Sequence, residues 1–282
     1  MKFTSGIKRV VKRHKLLHRV ATTVREAIIR TKELTPYRMR SYRDFGFHGD
    51  VVLRTLVNEI FKNFRISSFI ETGTHKATTT VFVAKLIEQL PIYTCEINKK
   101  YFAESRYRLK NYEKVELFRQ SSDLFLKDMM CTKKNNESLN FPLIFLDAHW
   151  EDYMPLRAEL REIGEFSRAI IIVDDVMVPD RRDLGYAQFS EGGKKQDLTI
   201  DYIKNSLNNK NAYRFFFPYY GENEAYREGP HDNDFRGYAI LFQNIAVNEP
   251  TPFLEQSFFK AHFREFNVPG NKGKEQKNGQ KD

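Results

Sequence analysis

Acidic side chains follow five apolar segments of the sequence, at the position where each segment ends. The acids are Glu71, Glu96, Asp123 (after a short turn), Asp147 and the pair Asp174–Asp175. If the segments are parallel strands, their carboxyl ends share one edge of a sheet, which is where such sheets bind ligands. A single acid there is also typical of a turn or a helix cap. The series indicates a charged site, because gathered carboxylates repel one another unless a cation or a donor-rich ligand offsets them.

The first of these acids opens the segment ETGTHKATTT, residues 71–80. Its order predicts a strand, a tight turn at Gly73 and the start of a helix. The predicted cofactor contacts in this segment are Glu71, Thr72, Gly73 and Thr74. Glycine permits a close approach of a ligand to the backbone, and free N–H groups at a helix start can hold a carboxylate. His75 and Ala77 replace the later glycines of a dinucleotide fingerprint, which disfavours a nicotinamide or flavin dinucleotide.

Two further strand ends suit the remaining parts of a nucleoside ligand. Glu96 follows the second strand, where an acid can accept hydrogen bonds from both ribose hydroxyls. Ser122 and Asp123 follow the third strand, in a position to meet the edge of an adenine ring. An amino-acid head at the Gly73 turn, a ribose on Glu96 and an adenine beside Asp123 together describe S-adenosylmethionine.

The segments that must position these residues alternate between strand and helix patterns. Strands are predicted at 67–70, 92–95, 115–118, 142–146, 169–173, 213–217 and 238–242, and helices at 51–64, 78–90, 101–111, 156–166 and 201–207. Continuous apolar strands between amphipathic helices predict an α/β protein with a doubly wound (Rossmann-like), mainly parallel sheet of seven strands. No convincing helix separates the last two strands, so we expect them to form an antiparallel pair at one edge.

From about Gly49 to Gln243 the chain resembles the class I S-adenosylmethionine-dependent methyltransferases. The resemblance rests on five segments in order: ETGTHKATTT, TCEIN (94–98), SSD (121–123), IFLDAHW (144–150) and IIIVDD (170–175). It implies a Rossmann-like fold and an enzyme that transfers a methyl group from S-adenosylmethionine.

The last two of these segments resemble those of metal-dependent O-methyltransferases, which include enzymes that act on catechols and on antibiotic sugars. The resemblance implies that Asp147, Asp174 and Asp175 hold Mg²⁺, a hard cation that carboxylate oxygens suit. It also implies an acceptor hydroxyl on a sugar, a glycan or another small molecule. A metal-bound hydroxyl loses its proton more easily. Without a metal, Asp174 and Asp175 are interpreted as a turn and a cap.

His149 lies two residues after Asp147 and is the predicted general base of the same site. Histidine titrates near neutral pH, which suits it to take the proton of a hydroxyl. Asp147 is assigned to catalysis and to cofactor contact as well. Capping of the next helix, or contact with the cofactor, stays open as the alternative for His149. No role is predicted for His48.

The composition is that of a folded protein without a disulfide framework. Apolar residues make up 41% of the chain and charged residues 29%, and there are two cysteines. These values exclude disordered, collagen-like and Cys-based zinc proteins. We find no apolar run long enough to cross a membrane and no secretory signal, so we expect a cytoplasmic protein.

The net charge of +9 is concentrated near the start, where residues 1–43 hold 13 Lys or Arg against two acids. The apolar spacing there predicts a basic amphipathic helix in an N-terminal arm, residues 1–48. This arm could attach to an anionic membrane surface or to nucleic acid. It could equally pack on the methyltransferase domain predicted at 49–266, or pair two subunits of a homo-oligomer. The polar tail 267–282 is predicted to be disordered.

Two long loops, 177–196 and 219–234, are candidates for binding the acceptor. Their aromatic side chains could stack on a sugar or simply pack on the surface; these are Tyr186, Phe189, Tyr219, Tyr220 and His231. Three other functions stay open. They are a nucleic-acid (RNA) methyltransferase that uses the basic arm, a nicotinamide oxidoreductase, and a non-catalytic nucleotide-binding module.

Overall fold

The computed structural model describes residues 45–132, 136–149, 154–226, 235–245 and 251–266. Most of the predicted N-terminal arm and the predicted tail lie outside these ranges, as do Trp150 and His231. The predicted domain boundaries therefore stay predictions.

The described residues form one large sheet and one small hairpin. The strands are β1 (Ser68–Thr72), β2 (Ile92–Cys95), β3 (Val115–Phe118), β4 (Pro142–Leu146), β5 (Ala169–Val173), β6 (Gln188–Glu191), β7 (Lys194–Asp197), β8 (Tyr213–Pro218), β9 (Ala239–Gln243) and β10 (Phe263–Glu265). The large sheet has the order β10-β8-β9-β5-β4-β1-β2-β3, and β6 pairs with β7 in the hairpin. The order in which successive strands are added to the sheet reverses at β1, which lies between β4 and β2. This reversal makes the sheet doubly wound.

The strand directions confirm the predicted mainly parallel sheet. Strands β1 to β5 pair in parallel with one another. Strand β9 runs antiparallel to both β5 and β8, as expected for the last two strands of the sequence prediction. The described residues add an eighth strand, because β10 pairs antiparallel with β8 at the edge. A strand of three residues is too short to show a clear alternation of apolar and polar side chains.

Helices cover the sheet on both faces. They are α1 (Val51–Asn63), α2 (Thr78–Leu86), α3 (Lys99–Arg108), α4 (Ser122–Thr132), α5 (Leu156–Ile163), α6 (Ile200–Lys204), α7 (Glu222–Ala225), α8 (Thr251–Leu254) and α9 (Ser257–His262). Every residue of β1, β4, β5 and β9 is buried. Burial on both faces is the reason that β4, β5 and most of β9 read as continuous apolar runs. Helix α4 begins inside the SSD segment, at Ser122, and was not among the predicted helices.

The two loops predicted to bind the acceptor contain regular structure. The β6–β7 hairpin lies inside the first loop, and α7 lies inside the second. None of the helices in the described ranges has the length and the apolar character that crossing a bilayer requires.

Gly73 occupies the tightest point between two loops of the sheet edge. Its φ is +86°, and a Cβ built on it would lie 2.3 Å from the carbonyl oxygen of Asp147. The turn after β1 thus rests directly on the peptide that follows β4. Glycine is required here for contact within the chain, in addition to the close ligand approach that the sequence suggested.

The substitution Gly73→Ala is expected to destabilise the protein by about 2–4 kcal/mol. The new methyl group would have to displace a backbone carbonyl, and the alanine backbone would have to adopt a positive φ. Denaturant unfolding measures the change. The matched control is Gly193→Ala in the β6–β7 hairpin, where φ is +75° and no atom lies within 4 Å of the added Cβ. This control should lose only about 1 kcal/mol. Equal losses in the two variants would show that the close approach at Gly73 does not matter.

Candidate active site

The ends of β1, β4 and β5 are joined edge to edge by backbone hydrogen bonds. The amide of Asp147 donates to the carbonyl of Thr72 over 3.1 Å, and the amide of Asp174 donates to the carbonyl of Leu146 over 3.0 Å. The acids that follow β4 and β5 therefore start from neighbouring points beside the Gly73 turn. This is the edge at which the sequence places the site.

Glu71 lies inside β1, one residue before the strand ends, and only 1% of it is exposed. Its Oε2 accepts hydrogen bonds from the hydroxyls of Thr80 (2.6 Å) and Thr94 (2.7 Å), and the hydroxyl of Thr74 lies 2.6 Å from that of Thr94. Burial raises the pKa of Glu71 to about 8, although both hydroxyls counteract the rise. The carboxyl therefore braces β1 against β2 and α2 from within, and its predicted role as a cofactor contact stays a prediction.

The backbone amides of the turn after β1 are largely used by the chain itself. The amides of Gly73 and Thr74 both donate to the carbonyl of Cys95, at 3.1 and 3.0 Å. The amide of His75 donates to Oε2 of Glu96 over 2.8 Å. These bonds hold the turn against the end of β2, so it is a pre-formed surface beside Glu96.

Glu96 lies where the sequence predicts a ribose site, directly after β2. One carboxylate oxygen accepts from His75 and the other accepts from the amide of Asn98 over 2.6 Å. Burial raises the pKa of Glu96, and these amide bonds counteract the rise. A carboxylate oxygen has a second lone pair after one such bond, so the side chain can still accept from a ligand hydroxyl.

Ser122 and Asp123 form the first turn of α4, and a buried acid of α5 that the sequence analysis missed lies against them. The Glu159 carboxyl contacts the hydroxyls of Ser122 and Thr72, and Asp123 is close enough to influence its charge. These hydroxyls are not well aligned for hydrogen bonding. Burial raises the pKa of Glu159 to about 7. Glu159 falls on the apolar stripe of a predicted helix, which was the available signal that it points inward.

His48, Asp147 and Asp174 come together at the edge. The Nε2 atom of His48 lies 3.0 Å from Oδ2 of Asp174 and 3.5 Å from Oδ2 of Asp147. The ligand atoms of the three residues lie within 4.8 Å of one another. Burial alone would lower the pKa of His48, but its contacts with Asp147 and Asp174 raise it well above the ordinary value. Sequence reasoning left His48 without a role because it is remote in the chain from both acids.

A short left-handed turn presents His48 to the two acids. Residues 46 to 49 all have positive φ, including the non-glycine residues Phe47 (46°) and His48 (53°). The turn closes with hydrogen bonds from Gly49 to the Gly46 carbonyl and from Asp50 to the Phe47 carbonyl, each 2.9 Å. Each left-handed non-glycine residue costs roughly 1–2 kcal/mol. The Gly-X-X-Gly spacing in FGFHGD was the available signal in the sequence.

Buried contacts on both sides hold this turn in place. The Phe47 ring packs on Phe145 of β4 at 5.0 Å between centroids, and its amide donates to the hydroxyl of Thr79. Asp50 caps α1 through one oxygen, and its other oxygen accepts from the hydroxyl of Tyr220 over 2.5 Å. Burial raises the pKa of Asp50 to about 6.

The side chain of Asp175 contacts different residues from that of its neighbour Asp174. Its Oδ2 lies 2.8 Å from Nε2 of His149 and 3.1 Å from Nη1 of Arg236. Burial alone would lower the pKa of His149, but the hydrogen bond and the charge of Asp175 raise it to about 9. The structure therefore brings Asp147 and Asp174 together as the sequence expects, with His48 in the third place. Asp175 pairs with the predicted base, and its metal role stays a prediction.

Aromatic side chains of the two long loops divide between interior and surface. Phe189 and Tyr220 are buried, and the hydroxyl of Tyr220 lies 2.8 Å from that of Tyr238. Tyr219 is 56% exposed. Packing therefore accounts for the first two. The guanidinium of Arg264 lies over the ring of Tyr219, 4.4 Å from its centre, and stacking of Tyr219 on an acceptor stays a prediction.

No protein-family model matches this sequence, and no curated protein does either. Solved structures similar to this chain include MtNAS in complex with MTA and tNA, at 13% identity over 82% of this chain and 74% of the other, with a TM-score of 0.46. An O-methyltransferase from Bacillus cereus in complex with SAH has 15% identity over 78% and 89%, with a TM-score of 0.43. The N-methyltransferase NodS from Bradyrhizobium japonicum, also with SAH, has 11% identity over 79% and 99%, with a TM-score of 0.44. At such identities the activity of this chain has to be argued from its own residues.

The substitution Glu71→Gln is expected to flatten the dependence of stability on pH. Because burial raises the pKa of Glu71 from 4.5 to about 8, the folded protein holds a proton that the unfolded chain releases. Stability from this group is therefore complete below pH 4.5 and is lost as the pH rises through 8. At ~1.4 kcal/mol per pKa unit, the free energy of unfolding of the variant, relative to that of the native protein, should rise by a few kcal/mol between pH 5 and pH 9.

Urea unfolding at several pH values measures this difference. The matched control is Glu88→Gln, which changes an exposed glutamate after α2. The control should follow the native protein at every pH. A Glu71→Gln variant that kept the native pH dependence would show that the buried carboxyl is ionised in the folded protein.

Proposed function

We propose that this protein is an S-adenosylmethionine-dependent methyltransferase that methylates a hydroxyl of a sugar, a glycan or another small molecule. One observation carries the proposal. The turn after β1, which is the predicted cofactor turn, packs on the Asp147 peptide, and Asp147 begins the segment that carries His149. A methyl donor held by the turn would thus have its reactive group beside a histidine–aspartate pair.

The residues along the edge fit the parts of this cofactor. Glu96 supplies an acceptor for ribose hydroxyls at the end of β2, and its two amide bonds fix the orientation of the carboxylate. Ser122 and Asp123 open α4 at the end of β3, on the side where the adenine would lie. Thr72, Gly73 and Thr74 form the floor between β1 and β4. The cofactor supplies an electrophilic methyl group on a sulfonium, so the chain has to contribute position, orientation and proton removal.

His149 is the group that we assign to proton removal. Its Nε2 atom is held by Asp175, which leaves Nδ1 to take the proton of an acceptor hydroxyl. Because Asp175 raises the pKa of His149 to about 9, the imidazole has to lose its Nδ1 proton, while it keeps the Nε2 proton that faces Asp175, before Nδ1 can act as a base. Arg236 contacts the same carboxylate and restrains the pair. The acceptor oxygen then attacks the methyl carbon in line with the departing sulfur.

A divalent cation fits next to this pair. Carboxylate oxygens of Asp147 and Asp174 meet at one point, which suits a cation that binds and orients the acceptor hydroxyl and lowers its pKa. Mg²⁺ is the expected ion for a site made only of oxygen ligands. The imidazole of His48 at the same point makes the donor set less suited to Mg²⁺ than three aspartates would be.

The partners of the protein remain part of the proposal. A small-molecule or glycan acceptor would bind between the edge of the sheet and the loops that carry Tyr219 and the β6–β7 hairpin. Attachment of residues 1–43 to an anionic membrane, and assembly into a homo-oligomer, concern residues that the structure does not describe.

Calorimetric titration with S-adenosylhomocysteine is expected to show binding with a Kd of about 1–100 μM, near −6 to −8 kcal/mol. Glu96→Ala should weaken binding at least ~10-fold, because hydrogen bonds to a charged acceptor contribute roughly 1.5–3 kcal/mol. Glu88→Ala, at an exposed site, is the matched control and should bind normally. If the native protein binds no S-adenosylhomocysteine, the methyltransferase proposal is wrong, and binding of NAD instead would favour an oxidoreductase.

With an acceptor identified by screening hydroxyl compounds, His149→Gln is expected to lower kcat by about 10²–10⁴-fold, the usual contribution of a general base. Binding of S-adenosylhomocysteine should be unchanged, since the imidazole acts on the acceptor. His262→Gln, a change in α9, should keep kcat. A His149→Gln variant with native kcat would leave His149 a structural residue only.

A further inference from the structure

We propose that His48, together with Asp147 and Asp174, binds a divalent metal ion, and that its imidazole makes the site prefer a transition metal such as Mn²⁺ over Mg²⁺. The inference deepens the proposed function, on which it rests for the use of the metal. Metal binding itself depends only on these three side chains.

The distances among the three side chains match those of ligands around one ion. Nε2 of His48 lies 3.0 Å from Oδ2 of Asp174 and 3.5 Å from Oδ2 of Asp147. Adjacent ligands of an octahedral ion with bonds of ~2.1 Å lie about 3 Å apart. The ligand atoms of all three side chains lie within 4.8 Å of one another, so one ion could contact all three.

The kinds of donor decide which ion fits. Mg²⁺ prefers oxygen ligands and gives up its water reluctantly. An imidazole nitrogen suits later first-row metals such as Fe²⁺ and Zn²⁺, and Mn²⁺ is the first and weakest member of the same affinity order, which makes it the mildest probe of that preference. One nitrogen and two carboxylate oxygens leave positions open for an acceptor hydroxyl or water. Catalytic metal sites likewise keep a coordination position open for water or substrate.

The third ligand comes from a part of the chain that is built to deliver it. Residues 46 to 49 form the left-handed turn, and Phe47 anchors it by packing on Phe145, the fourth residue of β4. The side chain of His48 is 47% exposed, whereas that of Asp174 is 5% exposed. The imidazole therefore lies on the solvent side of the carboxylates, where an arriving ion would meet it.

Asp175 is the neighbour that the sequence analysis offered as a third ligand, and it is already paired. Its Oδ2 contacts both His149 and Arg236. Recruiting it to a metal would break a partly buried ion pair and leave His149 and Arg236 without their shared carboxylate. His48 reaches the same point without that loss.

Titration of the native full-length protein with Mn²⁺, followed by electron paramagnetic resonance of free Mn²⁺, tests the assignment. We expect one site, bound more tightly than Mg²⁺ in competition. The variant His48→Asn should weaken Mn²⁺ binding at least 10-fold. Asparagine tolerates positive φ, so the turn should persist, which unfolding temperature and binding of S-adenosylhomocysteine would verify. His262→Asn is the matched control and should bind Mn²⁺ normally.

A second variant, His48→Asp, gives the site oxygen ligands only. It should shift the preference toward Mg²⁺, so that the ratio of Mn²⁺ to Mg²⁺ affinity falls at least 10-fold relative to the native protein. The variant should remain folded, since aspartate also tolerates positive φ.

The failure of this inference differs from the failure of the proposed function. Native-like Mn²⁺ binding by His48→Asn, or no Mn²⁺ binding by the native protein at millimolar concentration, overturns the metal assignment while S-adenosylhomocysteine binding can persist. His48-dependent Mn²⁺ binding without S-adenosylhomocysteine binding supports the metal assignment and overturns the methyltransferase.

Discussion

Contact between the turn after β1 and the peptide of Asp147 is the constraint on which the rest of the edge depends. A side chain at position 73 would overlap the Asp147 carbonyl oxygen, so only glycine lets the two loops meet. The same turn is tied on its other side to Cys95 and Glu96 by three amide hydrogen bonds. In the proposed function, a ligand held by the turn and a reacting group after β4 would therefore be fixed at a short distance, which is the condition for catalysis by proximity.

The buried carboxyl groups near this edge fall into two groups with different surroundings. Glu71, Asp50 and Glu159 lie behind the edge, where burial raises the pKa of each. Neighbouring hydroxyls donate hydrogen bonds to Glu71 and to Asp50. Asp174 and Asp175 lie at the edge itself and are paired with histidines. The hydrogen-bonded acids make the interior rigid, whereas the paired acids keep charge where it can act on a ligand.

Two histidine–aspartate pairs lie side by side at the edge, because the two aspartates are consecutive residues. Asp174 contacts His48, and Asp175 contacts His149, because the backbone turns sharply after β5 and Asp175 takes a positive φ of 57°. Side chains of consecutive residues thus point to different partners. One pair is arranged around a point that two carboxylates share, and the other includes Arg236 and a partly exposed imidazole. In the proposed function, this arrangement would separate binding of a cation from transfer of a proton.

The residues alone were sufficient to predict the parallel strands, the edge where the acids gather, and the likeness of β1 through β5 to a doubly wound sheet. These features have local causes, since fully buried strands are continuous apolar runs and the residue after each strand starts at the same edge. They could not reveal β10, which is too short to carry a pattern, or the surroundings of Glu159, which come from three separate segments. They also left out His48, because its distance of about a hundred residues from Asp147 is closed only by folding. Packing of Phe47 and the left-handed turn, neither of them visible as periodicity, bring that imidazole to the acids.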